Sequence, residues 1–244
     1  MHNAAFAALG LDWVYVAFPA PSTRGEAAVR AVLDLGLAGL NVTMPHKAAA
    51  AAACDELSAD ARALDAVNTV VVDDAQLIGH NTDGEGFLRA VADEGIIVAG
   101  RHCLVLGAGG AARAITLALG KAGAEVTVAA RREEAARAAA DLAGGRAIGL
   151  AEASVGDCDV IVNATPLGMR GEPPPFDPTH LRPAQFVFDT VYPGETPLVA
   201  AARAAGAAAA GGFGMLVHQG ALAFRLWTGR DAPVEAMRSA AQAT

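Results

Sequence analysis

The sequence predicts an α/β protein built as two domains, and three observations carry that expectation. Short apolar strand-like runs alternate with helical patterns along the chain. Gly107-Ala108-Gly109-Gly110-Ala111-Ala112 sits between an apolar run and a helical one. The length of 244 residues and a hydrophobic fraction of 53% supply a core for one large domain or two ordinary ones.

Each element has its own signal. Trp13 to Phe18 reads as a strand ended by Pro19 and Pro21, and Glu26 to Leu35 has helical periodicity with Gly36 beyond it. Leu40 to Thr43 is a brief strand that stops at Pro45, which suits the first turn of a helix covering Lys47 to about Cys54. Ala66 to Val72 and Leu77 to Asn81 flank Asp73-Asp74 as a β-hairpin, and Thr82 and Asp83 are candidate caps for a helix carrying Phe87, Leu88 and Val91. Gly95 to Gly100 connects to a βαβ unit: strand Cys103–Leu106, helix Ala111–Lys121, strand Glu125–Ala130. The alternation continues through helix Glu133–Leu142, strand Asp159–Val162, strand Phe186–Asp189, helix Leu198–Ala205 and helix Met215–Trp227. Gly171-Glu172-Pro173-Pro174-Pro175 is a loop.

Composition excludes several classes of function. A formal charge of -8 leaves no basic footprint for nucleic acid, so any anionic ligand needs locally placed cations. Cys54, Cys103 and Cys158 are widely spaced and lack metal-ligand pattern, as expected of small buried residues in a reducing compartment. No basic segment precedes an apolar run at the start, and charges break the alanine tracts. We expect a cytoplasmic protein with no metal, no nucleic acid and no membrane among its partners.

The glycine turn is the clearest ligand signal. After an apolar strand and before a helix, Gly107 permits the turn, Gly109 lets backbone approach phosphate, and Ala112 allows close helix–strand packing. A structural turn is the bland alternative, but the context favours a Rossmann-like nucleotide site. An NAD site carries an acidic residue at the end of the second strand; here Ala129-Ala130-Arg131-Arg132 offers guanidiniums suited to a 2′-phosphate. Pairing with Glu133 and Glu134 would instead make them a solvated helix start. NADP is the expected cofactor.

Lys47 is the unusual residue of the first half. The chain has only two lysines, Lys47 and Lys121, and draws its other positive charge from arginine. Lysine as a residue type exchanges a proton when its surroundings allow, whereas arginine stays charged. Thr43, Asn68 and Asp83 stand with it at successive element ends as substrate candidates. Singly, Thr43 and Asp83 read as helix caps, Asn68 as a satisfied strand amide and Lys47 as a surface lysine. Their joint placement favours a site.

At this point the residues resemble a family. Asn41-Val42-Thr43-Met44-Pro45-His46-Lys47, Asn68-Thr69, Asn81-Thr82-Asp83-Gly84, Gly107 to Ala114, Asn163 to Met169, Asp189-Thr190-Val191-Tyr192 and Gly214 to Gln219 are similar, in collinear order, to shikimate dehydrogenases. The resemblance implies a substrate domain over residues 1–84 and 213–244 and a Rossmann-like domain over 85–212, with the C-terminal helices returning to the first domain. It also implies reversible NADPH-dependent reduction of 3-dehydroshikimate to shikimate in a cleft, by a monomer or homodimer. Lys47 would exchange the proton with Asp83 bonded beside it, and Thr43, Asn68, Tyr192 and Gln219 would hold substrate hydroxyl or carboxylate groups. Gly107, Ala108, Gly109, Gly110 and Ala111 would cradle pyrophosphate, Arg131 and Arg132 would meet the 2′-phosphate, and Thr165, Met169, Gly212 and Met215 would lie toward the nicotinamide.

The sequence departs from the family at two places. Family members begin with a glycine-containing strand and a loop bearing two serines that grip the carboxylate, whereas this chain starts inside the next segment, Met1 to Phe6. A late start in the sequence and a true truncation both account for this; if the strand and loop are absent from the protein, weaker substrate binding and an exposed apolar sheet surface are the expectation. Ala130 stands where asparagine is common, with Arg132 adding charge. Two other readings remain open: a quinate or aminoshikimate dehydrogenase, and a catalytically impaired nucleotide-binding regulator.

Overall fold

The computed structural model describes residues 1–243, and the chain divides into two compact units. One comprises Met1–Gly86 with the residues from Val217 onward; the other is Phe87–Leu216.

The first unit runs α1 (His2–Ala8), α2 (Gly25–Asp34), β1 (Gly39–Asn41), α3 (Lys47–Ala53), β2 (Glu56–Leu57), α4 (Ala59–Leu64), β3 (Thr69–Asp73), β4 (Gln76–His80) and the start of α5 (Asp83–Asp93). Its sheet has the order β1-β3-β4-β2, antiparallel except for β2 against β4. β3 and β4 form the expected hairpin, turning through Asp74 and Ala75 at φ 43° and 61°. Both turn residues are left-handed, which matches the right-handed twist of the strands. Val29 and Val32 of α2, Ala50 and Ala53 of α3, Val70 and Leu77 of the hairpin close a small apolar core. Alanine lets these elements approach, so a core forms with few large side chains.

Trp13–Phe18 differs from the strand expected there. No ladder pairs it, and the Asn3 side chain alone brackets Tyr15, accepting from its N–H at 2.6 Å and donating to its carbonyl at 2.9 Å. Apolar, β-branched composition favours a strand only where a neighbouring strand offers its hydrogen bonds. Val14, Val16 and Phe18 are exposed, while Tyr15 stacks on His2 with ring centroids 4.5 Å apart.

The second unit continues with β5 (His102–Leu106), α6 (Gly110–Lys121), β6 (Glu125–Ala130), α7 (Glu133–Ala140), β7 (Arg146–Gly149), β8 (Val160–Asn163), β9 (Phe186–Asp189), α8 (Pro197–Ala204), β10 (Ala208–Gly211) and the start of α9 (Phe213–Thr228). Six parallel strands lie in the order β10-β9-β8-β5-β6-β7. The central strands are buried on both faces, and two apolar clusters cover the sheet, one containing Phe87, Ile115 and Phe188 and the other Leu104, Ile161 and Leu198. Strand order reverses between β5 and its neighbours β6 and β8, and the crevice at such a point, beyond the carboxyl ends, is where open α/β sheets take ligands.

The rest of α9 and α10 (Val234–Gln242) belong to the first unit. Phe224 of α9 meets Phe6 at 5.4 Å between rings, and the Trp227 indole donates to the Val70 carbonyl at 2.9 Å. No helix among the described residues is long and apolar enough to cross a membrane.

Candidate active site

In the first unit, the turn after β1 delivers Lys47 as the first residue of α3, and the turn after β4 delivers Asp83 as the first residue of α5. Pro45, with a cis bond before it, lies outside α3 instead of in its first turn. The Lys47 Nζ donates to Asp83 Oδ2 at 2.5 Å. The lysine side chain is 22% exposed and the aspartate 10%, so solvent screens the pair only in part. Asp83 Oδ1 accepts from the Asn68 amide at 2.8 Å.

Asn68 joins the two sides of this site. Its Nδ2 also reaches the Thr82 hydroxyl at 3.0 Å, while its Oδ1 accepts from the Thr82 backbone N–H at 2.9 Å and the Thr69 hydroxyl at 3.0 Å. A backbone N–H only donates, which fixes the amide: its oxygen faces Thr82 N and its NH₂ faces Asp83. The Thr82 hydroxyl lies 3.1 Å from the Gln219 carbonyl, to which it donates, bringing α9 to the start of α5. Thr43 is exposed, and its carbonyl accepts the His46 N–H.

In the second unit, Gly107 follows β5 with φ 110°, and a Cβ there would lie 2.8 Å from the Ala164 carbonyl oxygen. Glycine is the residue that satisfies both demands. At Gly109 and Gly110 a Cβ would meet nothing within 4 Å, so the turn is open on that side. Gly109 is the N-cap of the twelve-residue α6 and supplies no side-chain cap. The first N–H groups of α6 are therefore available to an anion, and the turn fits a pyrophosphate. Arg131 and Arg132, both exposed, follow the end of β6, the strand beside β5.

A second polar cluster closes the carboxyl ends of β8 and β9. Buried Asp189 accepts from Asn163 Nδ2 at 2.9 Å, the Thr196 hydroxyl at 2.6 Å and the Val191 N–H at 3.1 Å. Burial raises its pKa, opposed by those three donors. Asn163 Oδ1 in turn accepts from the Thr165 hydroxyl at 2.7 Å, so Thr165 is held against the strand end. Met169 and Tyr192 are exposed. Met215 is buried within the core cluster of Phe87 and Phe188, and Gly212 is required where it stands, because a Cβ would meet the Thr190 carbonyl at 2.1 Å. Neither Asn163 nor Asp189 carried a role in the sequence reading. The available signal was a polar residue ending an otherwise apolar strand.

No group of three or more His, Cys, Asp or Glu side chains among the described residues is arranged to hold a metal ion. Burial pushes the thiols of Cys54 and Cys158 up to about 11 and that of Cys103 up to about 12.

The chain is similar to known proteins along most of its length. Residues 1–70 match the shikimate dehydrogenase substrate binding domain, residues 212–242 the shikimate 5′-dehydrogenase C-terminal domain, and residues 103–172 a coenzyme F420-dependent NADP oxidoreductase profile. The NADP(+) shikimate dehydrogenase of Methanopyrus kandleri is 48% identical, covering 98% of this chain and 88% of its own. That of Rubrobacter xylanophilus is 49% identical, covering 98% and 89%. The crystal structure of shikimate 5-dehydrogenase from Thermus thermophilus, in complex with NADP(H) and shikimate, superposes with a TM-score of 0.91 at 39% identity, covering 99% of this chain and 92% of that one. Identity of this extent over nearly the whole chain places the chain in the shikimate dehydrogenase family.

Proposed function

We propose that this protein is an NADP-dependent shikimate dehydrogenase, interconverting 3-dehydroshikimate and shikimate on the route to chorismate and the aromatic amino acids. The observation that carries the chemistry is the Lys47–Asp83 pair, a primary ammonium held by a carboxylate whose other oxygen is fixed by Asn68. Nicotinamide, when bound, supplies a hydride to the substrate carbonyl carbon or takes one from the alcohol carbon. Lys47 donates its Nζ proton to the carbonyl oxygen as negative charge develops there, and takes that proton back in the oxidation direction. Asp83 aims the ammonium through its Oδ2.

Thr43, Asn68 and Gln219 are the proposed holders of substrate hydroxyl or carboxylate groups, with Tyr192 a candidate by motif match. Gly107 to Ala111 and the start of α6 hold the pyrophosphate. The Arg131 and Arg132 guanidiniums bind the 2′-phosphate through charge-assisted hydrogen bonds. Thr165, Met169, Gly212 and Met215 are assigned to the nicotinamide side; for Gly212 and Met215 the contribution is to shape the wall behind it. The three unpaired cysteines support a cytoplasmic location, and the enzyme acts as a monomer or homodimer.

Steady-state assays with shikimate and quinate, each with NADP and with NAD, test this reading. The expected result is the highest kcat/KM for shikimate with NADP. A higher value for quinate, or for NAD, would replace the proposed substrate or cofactor, and turnover of neither substrate would end the catalytic reading.

A further inference from the structure

The hydrogen bonds around Lys47 do not stop at Asn68. Thr69, fully buried, sits opposite Asn41 of β1 on one side and His80 of β4 on the other. Its hydroxyl donates to Asn68 Oδ1 at 3.0 Å and accepts from Asn41 Nδ2 at 3.2 Å. The Asn41 amide is itself fixed, because Nδ2 also donates to the Asn68 carbonyl at 3.3 Å, leaving Oδ1 to accept from the Tyr15 hydroxyl at 3.2 Å. Every donor in this line points inward toward Asp83. The polarity is consistent from Tyr15 to Asp83, so each link strengthens the next.

We infer that Thr69, with Asn41 behind it, is a positioning residue: the line Tyr15–Asn41–Thr69–Asn68 sets the direction from which Asp83 holds the Lys47 ammonium. Neither Thr69 nor Asn41 bonds to Lys47 or Asp83, so their effect passes through the Asn68 amide. Losing the Thr69 hydroxyl leaves the Asn68 amide oxygen anchored by Thr82 alone and orphans one Asn41 donor. The amide does not flip, but it is free to tilt, and Asp83 Oδ1 moves with it. A shift well under an ångström at a proton-transferring pair is enough to slow the reaction.

The inference rests on the catalytic role proposed for Lys47, and its test separates the two. Thr69→Val removes the hydroxyl at nearly constant volume, and Thr69→Ser keeps it. Because the chain has only Lys47 and exposed Lys121, acetylation by acetic anhydride read by mass spectrometry gives the reactivity of Lys47 with Lys121 as internal reference. Thr69→Val is expected to raise the Lys47:Lys121 acetylation ratio roughly threefold or more and to lower kcat for shikimate oxidation about tenfold, with KM for NADP unchanged and Thr69→Ser near wild type in both. An unchanged acetylation ratio in Thr69→Val, or a Thr69→Ser variant that behaves like Thr69→Val, would overturn the inference. If the wild-type protein turns over no shikimate, the catalytic reading fails while the acetylation ratio still reports on the line. Should Thr69→Val not fold, Asn41→Ala breaks the same line one link further out and must show the same rise.

Discussion

Asp83 and Asp189 are both buried carboxylates at the ends of secondary-structure elements, yet they keep different company. Asp83 shares its oxygens between an amide and the Lys47 ammonium, whereas Asp189 accepts from a threonine hydroxyl, an asparagine amide and a backbone N–H, all neutral. In the first unit the carboxylate stabilises a mobile charge; in the second it ties the β8 and β9 ends to the loops that follow them. Burial alone therefore does not mark a reactive group. The presence of a cation with an exchangeable proton does.

The sharpest way to break this contrast is at the cation. Lys47→Ala is expected to lower kcat by about a thousandfold while the Kd for NADPH, from fluorescence titration, stays within about twofold. Retained turnover would return Lys47 to the surface lysines. The aspartates should then exchange roles under mutation. Asp189→Ala strands the Asn163 amide, the Thr196 hydroxyl and the Val191 N–H, at a cost of about 2–3 kcal/mol in urea unfolding. Asp83→Ala should cost less stability and far more kcat. Equal effects of the two variants on both quantities would erase the distinction.

Acid should also act on the units in opposite directions. His2 is buried against Tyr15 and Trp227, and burial lowers its pKa from 6.5 to about 4. The unfolded chain therefore binds its proton first, so stability rises with pH between about 4 and 6.5, and His2 contributes about 3 kcal/mol that is lost as pH falls through that window. The Asp189 carboxyl is shifted upward, so its ionisation opposes folding, and this penalty disappears as pH falls below its folded pKa. Hydrogen exchange at pH 7 and pH 5 should show protection falling in the amides around His2 more than in those around Asp189. His2→Phe should remove the difference.

The smallest effect belongs to the cofactor edge. Arg131→Ala should weaken NADPH roughly tenfold and NADH hardly at all, because only the former carries the 2′-phosphate. Equal weakening of both would assign Arg131 to another part of the nucleotide.

The parts legible in the sequence were those with a local cause. The glycine turn from Gly107, the hairpin around Asp74 and the element ends carrying Lys47 and Asp83 each follow from nearby residues. β7 and β10 were not legible: Arg146–Gly149 and Ala208–Gly211 are poor in β-branched side chains and become strands because an adjacent parallel strand supplies their hydrogen bonds. Trp13–Phe18 is the converse, strong composition without a ladder. α1 and α4 also escaped, being short helices that tertiary packing sustains. Asn41 and Thr69 lay inside the quoted motifs, but their part in orienting Asp83 depends on register between β1 and β3, which no single segment specifies.

The three native thiols have a practical consequence. With pKa values raised to about 11 or 12, roughly one in ten thousand or fewer is thiolate at pH 7, so all are poor nucleophiles toward maleimides and peroxide. A cysteine introduced on the surface, at exposed Glu125 for instance, would outcompete them by orders of magnitude. Spectroscopic probes can thus be attached at chosen positions without first stripping the chain of its own sulfur.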